Sequence, residues 1–350
     1  MAEVLDTIRQ GWSERLLPQM REKMGGPFID LTFTSPPYNV SQDYDTVGDN
    51  LPYGDYLTTI TDVLMELRKS TVVGGRLVLN SPEGVNAPGG RAKKGYYPVQ
   101  HDLYQCAIRA GWLPHSTILW FKQTIYKRTA WGSWLQASNP SIMYSWEYLL
   151  VFYNQQRRLE PNGQKHDITA DENKRWTDGF WHISPESRKL GHPCPFPEEL
   201  AYRVIKLFCY PGMTVCDPFA GVGTTLAVAK GLKRRWVGID ASLKYVEMSK
   251  RRVDAVDPAT WVPSRGPAPW VMDPNDPLSS ATTPRATRST ASTRRGSRAR
   301  SAGASSTPTP RSPTDGPPAL EPPCSAPAAT SSSSMAGSTS PPLARGASPP

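Results

Sequence analysis

From residue 29 onward, short apolar runs alternate with stretches whose apolar residues recur every three or four positions. Residues 29–33 (Ile-Asp-Leu-Thr-Phe) read as a buried strand that stops at Thr-Ser-Pro-Pro, where backbone donors vanish. Helical spacing over 56–67 is followed by Gly74-Gly75, a strand at 76–80 and a helix near 102–110. Strands are expected at 117–121 and 148–153, then a helix over 198–209 begun by Pro197. The pattern closes with strand 214–216, helix 224–230, strand 236–239 and helix 243–253. Strands that alternate with helices imply crossover units, hence an α/β fold with a mostly parallel sheet covered on both faces. In such sheets ligands sit beyond the carboxyl ends of the strands.

Two intervals resist this reading: 81–98, rich in Gly and Pro, and 122–145 with its continuation 154–188. The second holds basic and aromatic residues without clean periodicity, among them Lys122, Lys127, Arg128, Trp131, Trp134, Arg157 and Arg158. Such interleaving suits a surface that touches nucleic-acid backbone and base edges. An insertion anchored by aromatics accounts for it equally well.

Composition separates the chain into two unequal parts. Pro, Ser, Thr and Ala concentrate after about residue 256, so a folded domain is expected over 1–256 and a disordered tail over 257–350. Residues 258–350 carry nine arginines against four acids, a net +5 of the chain's +9. The remainder is only mildly basic, and charge by itself is weak evidence for a nucleic-acid partner. Five cysteines form no CxxC pair and no Cys/His ladder, which suggests no metal site and no disulfide framework. No stretch approaches the ~20 apolar residues that cross a bilayer. A cytoplasmic protein with no membrane association is expected.

Chemistry enters with two motifs. Asp217-Pro-Phe-Ala-Gly-Val-Gly-Thr-Thr225 lies between a strand and a helix, where glycines allow close approach of a ligand and the helix start offers amides. It lacks the Gly-Lys-Ser/Thr of a phosphate loop, and Leu226 stands where a dinucleotide loop needs a third glycine. Asp240, at the end of the next strand, is placed to accept hydrogen bonds from both hydroxyls of a ribose. Thr34-Ser-Pro-Pro-Tyr-Asn39 follows the 29–33 strand. An exocyclic amine is a poor nucleophile because its lone pair is delocalised into the ring. Two acceptors, the Ser35 hydroxyl and the Pro36 carbonyl, can grip its protons and free that lone pair for attack on a methyl sulfonium, with Pro37 stiffening the turn. Tyr38 offers a ring for an extruded base, whose flipping costs roughly a few kcal/mol.

Together with Gly191-His-Pro-Cys-Pro-Phe-Pro-Glu-Glu-Leu200, these motifs resemble the N4-cytosine/N6-adenine DNA methyltransferase family over roughly residues 29–253. Their order, catalytic loop first and cofactor loop last, resembles its permuted beta group, with a target-recognition region between, about 122–188. The resemblance implies a Rossmann-like methyltransferase sheet and S-adenosyl-L-methionine as cofactor. It implies cofactor contacts from Asp217, Phe219, Gly221, Gly223, Thr224 and Asp240, with Pro195 and Phe196 helping to close the pocket. Ser35, Pro36, Pro37 and Tyr38 form the catalytic face, and double-stranded DNA is the partner. A cognate restriction nuclease and either a monomer or a homodimer are compatible with it. Ser at position 35 resembles cytosine-N4 enzymes more than the Asp usual in adenine-N6 enzymes, although the motif occurs in both. One departure is that family members often open with Gly-Asp, where this chain has Gly11-Trp12, leaving Asp6 or Glu14 as the acid that could serve instead. The reading from another class is a catalytically silent DNA-binding protein that keeps the fold for recognition.

Overall fold

The computed structural model describes residues 3–39, 43–44, 47–48, 51–86, 96–122, 136–138, 140, 142, 144–186 and 195–263. In chain order the elements are β1 (Thr7–Gln10), α1 (Ser13–Met24), β2 (Ile29–Thr34), the paired β3 (Asp43–Tyr44) and β4 (Val47–Gly48), α2 (Tyr53–Ser70), β5 (Thr71–Pro82), the paired β6 (Val85–Asn86) and β7 (Tyr96–Tyr97), α3 (Val99–Arg109), β8 (Leu113–Phe121), β9 (Trp146–Tyr153), α4 (Ala170–Trp176), β10 (Phe180–His182), α5 (Glu198–Phe208), β11 (Thr214–Asp217), α6 (Thr224–Gly231), β12 (Arg235–Asp240) and α7 (Leu243–Asp254). Every element expected from the apolar pattern is present. The pattern missed β1, α1, α4, β10 and the two short pairs β3-β4 and β6-β7.

One eight-stranded sheet is ordered β1-β12-β11-β2-β5-β9-β8-β10. Only β9 runs antiparallel to its neighbours; the other pairs are parallel. Alternation along each strand divides the core between two faces. Leu149 and Val151 pack with α5 and α6, while Leu150 and Phe152 pack with α1, α2 and α3. On α2 the stripe Tyr56, Ile60, Val63, Leu64 and Leu67 recurs at helical spacing and is buried. Each such side chain contributes roughly 1.5–3 kcal/mol. Among the described residues, no helix is long and apolar enough to cross a membrane.

Two boundaries matter for the site. The Lys122 N–H donates to the Ser145 carbonyl at 2.7 Å, so the chain leaves β8 and returns to β9 at one point of the sheet's carboxyl edge. Packing also continues past the expected domain end at 256, because Trp261 rests on the core with its ring 6.4 Å from that of Tyr202.

Candidate active site

Four neighbouring parallel strands, β1, β12, β11 and β2, end on the same edge of the sheet. Their register keeps those ends level, with Gln10 beside Asp240, Asp217 beside Gly238 and Cys216 beside Thr32. The turns that follow therefore converge. Residues 11–14, 35–39, 218–222 and 240–241 line one cleft of about 480 Å³, and α2, Pro195, Phe196 and Tyr245 complete its wall.

The loops after β2 and β11 are tied together beneath this cleft. Thr34 Oγ1 donates to Asp217 Oδ1 at 2.7 Å, and Asp217 also accepts from the Phe219 N–H at 3.2 Å. Burial pushes the Asp217 carboxyl up to about 6, against the opposing pull of its bonds from Thr34, Thr225 and Phe219. The glycine loop uses its amides internally. The Ala220 N–H reaches the Ile239 carbonyl, Gly221 N–H reaches Asp240 Oδ2 at 2.8 Å, and Gly223 N–H reaches the Ala220 carbonyl. In the loop ahead of α6 the amides of 219, 220, 221 and 223 are thus committed within the protein. Asp240 holds the Gly221 and Ser242 amides with its two oxygens, and burial raises its carboxyl above the ordinary range.

On the other side of the cleft, Ser35 Oγ lies 2.6 Å from the Tyr38 hydroxyl, which donates to the Asn80 carbonyl at 3.0 Å. The Asn80 side-chain amide donates to Glu147 Oε2 at 2.6 Å, and Glu147 pairs with Lys122. Phe33 and Phe196 have ring centroids 5.0 Å apart, which attaches the Pro195-Phe196 segment to β2.

The structure brings together Ser35, Pro36, Pro37, Tyr38, Pro195, Phe196, Phe219, Gly221, Thr224 and Asp240. Asp217 and Gly223 stand behind the cleft wall. Gly223 has φ +75° and a Cβ there would fall 2.1 Å from Ser249 Oγ, so glycine lets α6 start close against α7. Of the two candidate acids, Glu14 lines the cleft, whereas Asp6 sits at the opposite edge holding Arg235 and the Trp236 amide. Sequence reasoning missed Trp12 and Ser13 as wall residues, because β1 and the start of α1 gave no pattern. Ser13 Oγ donates to the Pro218 carbonyl at 2.5 Å and so fastens α1 to the glycine loop.

The nucleic-acid candidates separate. Lys122 lies on the carboxyl edge, with its ammonium 4.8 Å from the Trp120 ring centroid. Lys127, Arg128, Trp131 and Trp134 lie outside the described residues. Arg157 and Arg158 follow the antiparallel β9 and fall at the far edge of the sheet. There the Arg157 carbonyl accepts from Arg76, and Gly74 abuts the Arg158 backbone. The direction of that strand sets these two arginines apart from Lys122 and from the cleft.

Glu14 and Asp240 are the two carboxylates of the wall, and no Lys, Arg or His lines it among the described residues. An acidic cleft without a cation in its wall suits a ligand carrying positive charge and ribose hydroxyls, and disfavours a phosphate.

Comparison with known proteins agrees. A family model described as DNA methylase, of the N6/N4 methyltransferase type, matches residues 29–251. Type II methyltransferase M.MjaVI of Methanocaldococcus jannaschii is 38% identical over 161 residues, 46% of this chain and 79% of that one. Type II methyltransferase M.HpaI of Haemophilus parainfluenzae is 29% identical over 233 residues, 65% of this chain and 68% of that one. A Thermus thermophilus protein described as a DNA modification methylase, solved in complex with S-adenosyl-L-methionine, gives a TM-score of 0.56 at 27% identity and covers 71% of this chain and 95% of its own. The cytosine-N4-specific PvuII DNA methyltransferase, at 20% identity and a TM-score of 0.54 over 72% of this chain and 88% of its own, shares the fold. Since the matched segment contains both loops of the cleft, the chain belongs to the N4-cytosine/N6-adenine DNA methyltransferase family, enzymes that use S-adenosyl-L-methionine to methylate an exocyclic amino group at specific sites.

Proposed function

We propose that this chain methylates the N4 amino group of cytosine in duplex DNA, and that Ser35, Pro36 and Tyr38 carry the reaction. The observation that supports this is the shared cleft: the Ser35 to Tyr38 turn and the Phe219 to Asp240 wall face one space. When bound, S-adenosyl-L-methionine supplies an electrophilic methyl group. Asp240 would accept hydrogen bonds from its ribose, Glu14 adds a second acidic group, and Phe219, Pro195 and Phe196 exclude water.

Ser35 Oγ and the Pro36 carbonyl hold the two protons of the target amine, which turns its lone pair toward the methyl group. The Tyr38 ring supports the extruded base and offsets part of the cost of flipping. Lys122 contacts the DNA from the carboxyl edge, and Lys127, Arg128 and Trp131, which follow it in sequence, are assigned to DNA contact as well. A cognate restriction nuclease would give the modification its biological use.

Mass spectrometry of nucleosides from a host that carries the gene tests the reading. N4-methylcytosine is expected. N6-methyladenine would overturn the choice of base, and neither product would overturn the activity.

A further inference from the structure

We propose that Asn80 and Glu147 are positioning residues for methyl transfer, acting on Ser35 through the Tyr38 hydroxyl. The proposal rests on the assignment of Ser35 as an acceptor for the target amine. Tyr38 has one phenolic proton, and a carbonyl can only accept. The 3.0 Å contact to the Asn80 carbonyl therefore uses that proton, and in the 2.6 Å contact Ser35 is the donor. With its proton directed at Tyr38, Ser35 Oγ keeps its lone pairs for an incoming amine. Donation also strengthens an oxygen as an acceptor.

The phenol is held by a buried residue of the sheet. Asn80 is 2% exposed and locked in β5 by its pairing with Leu149 of β9. Its side-chain amide also reaches the Tyr38 oxygen, at 3.3 Å. An amide can present either its NH2 or its oxygen, and the choice is made by Glu147. An ionised carboxylate only accepts, so the 2.6 Å contact demands the NH2 of Asn80. Asn80 Oδ1 is left buried with no partner, as expected when the carboxylate dictates the orientation and not the surroundings of the oxygen. Lys122, at the point where the chain leaves β8, anchors the other oxygen of Glu147.

A double-mutant cycle tests the chain of contacts in the full-length protein, with unmethylated phage DNA and radiolabelled S-adenosyl-L-methionine under single-turnover conditions at saturating DNA. Tyr38→Phe keeps the ring and removes the hydroxyl, so the rate should fall roughly three- to tenfold, the worth of one hydrogen bond. Glu147→Gln, which can accept from or donate to the amide, should slow the same step by a similar factor. The double variant should be no slower than Tyr38→Phe alone, because Glu147 acts only through that hydroxyl. Multiplied effects, or an unchanged rate in Glu147→Gln, would overturn the proposal. If Glu147→Gln fails to melt cooperatively, Asn80→Ala, which removes the side-chain amide and keeps the backbone carbonyl, takes its place in the cycle with the same expectations. Ser35→Ala separates the two levels of the argument. A slow Ser35→Ala with multiplied effects in the cycle removes the positioning role alone, whereas an unimpaired Ser35→Ala removes the acceptor assignment beneath it.

Discussion

The loop after β2 and the loop after β11 leave adjacent parallel strands at the same level, yet one is built with prolines and the other with glycines. Proline has no N–H, so the first loop presents acceptors toward the cleft. The glycine loop folds tightly enough to consume its own donors on Asp217, Ile239 and Asp240. Neither loop therefore offers a cradle of donors for an anion. Under the proposed function their difference divides the labour: the proline loop handles the protons of an amine, and the glycine loop holds a shape lined by carboxylates.

The sharpest break of this division is Ser35→Ala. Removing one of two preorganised groups should slow methyl transfer by roughly a hundredfold or more, with affinity for S-adenosyl-L-methionine unchanged by calorimetry. Equal loss in both measurements would mean that the loops do not act separately.

Next in size is the effect of pH on the foundation they share. Asp217 and Asp30 are each pushed up to about 6 by burial, against an ordinary 3.8. Their folded values lie above their unfolded ones, so the stabilising contribution is complete below about 3.8 and is lost as pH rises through about 6. The full change is about 3 kcal/mol per group, of which less than about a third falls above pH 5.5. Thermal melting should thus occur at higher temperature near pH 5.5 than near pH 7.5. Asp30→Asn, which keeps an acceptor for the Thr214 amide, should flatten part of that slope. A melting temperature that climbs over this interval would contradict the assignment.

A smaller effect is expected on the glycine side. Asp240→Asn should weaken cofactor binding by about 1–3 kcal/mol while the transfer rate at saturating cofactor stays near that of the parent. A collapse of the saturated rate would give Asp240 a part in the chemistry. The smallest effect lies outside both loops: Arg158→Ala, at the far edge of the sheet, should leave DNA affinity and its salt dependence unchanged in a filter-binding titration.

The two motifs and the strands that carry them were legible because their signals are local. Apolar runs stop at prolines or glycines, and Asp240 ends a strand whose pattern is plain. What escaped needed information that no local pattern holds. The start of α1 lacks a capping side chain at Trp12, carries Pro18 in its interior, and follows a strand of only four residues. The choice between Asp6 and Glu14 required the register of that strand against β12. Arg157 and Arg158 looked like neighbours of Lys122 because composition does not report direction, and β9 runs back across the sheet before reaching them. Asn80 reads as an ordinary polar end to a strand. Its place under Tyr38 follows only from the adjacency of β2 and β5.

The single 2.7 Å bond between the Lys122 amide and the Ser145 carbonyl has an evolutionary corollary. A stretch of chain that enters and exits through so narrow a gate can be lengthened, shortened or exchanged with little disturbance to the strands on either side. Where that stretch contacts DNA, as proposed, its exchange would change the sequence that is read and leave the methylated position the same.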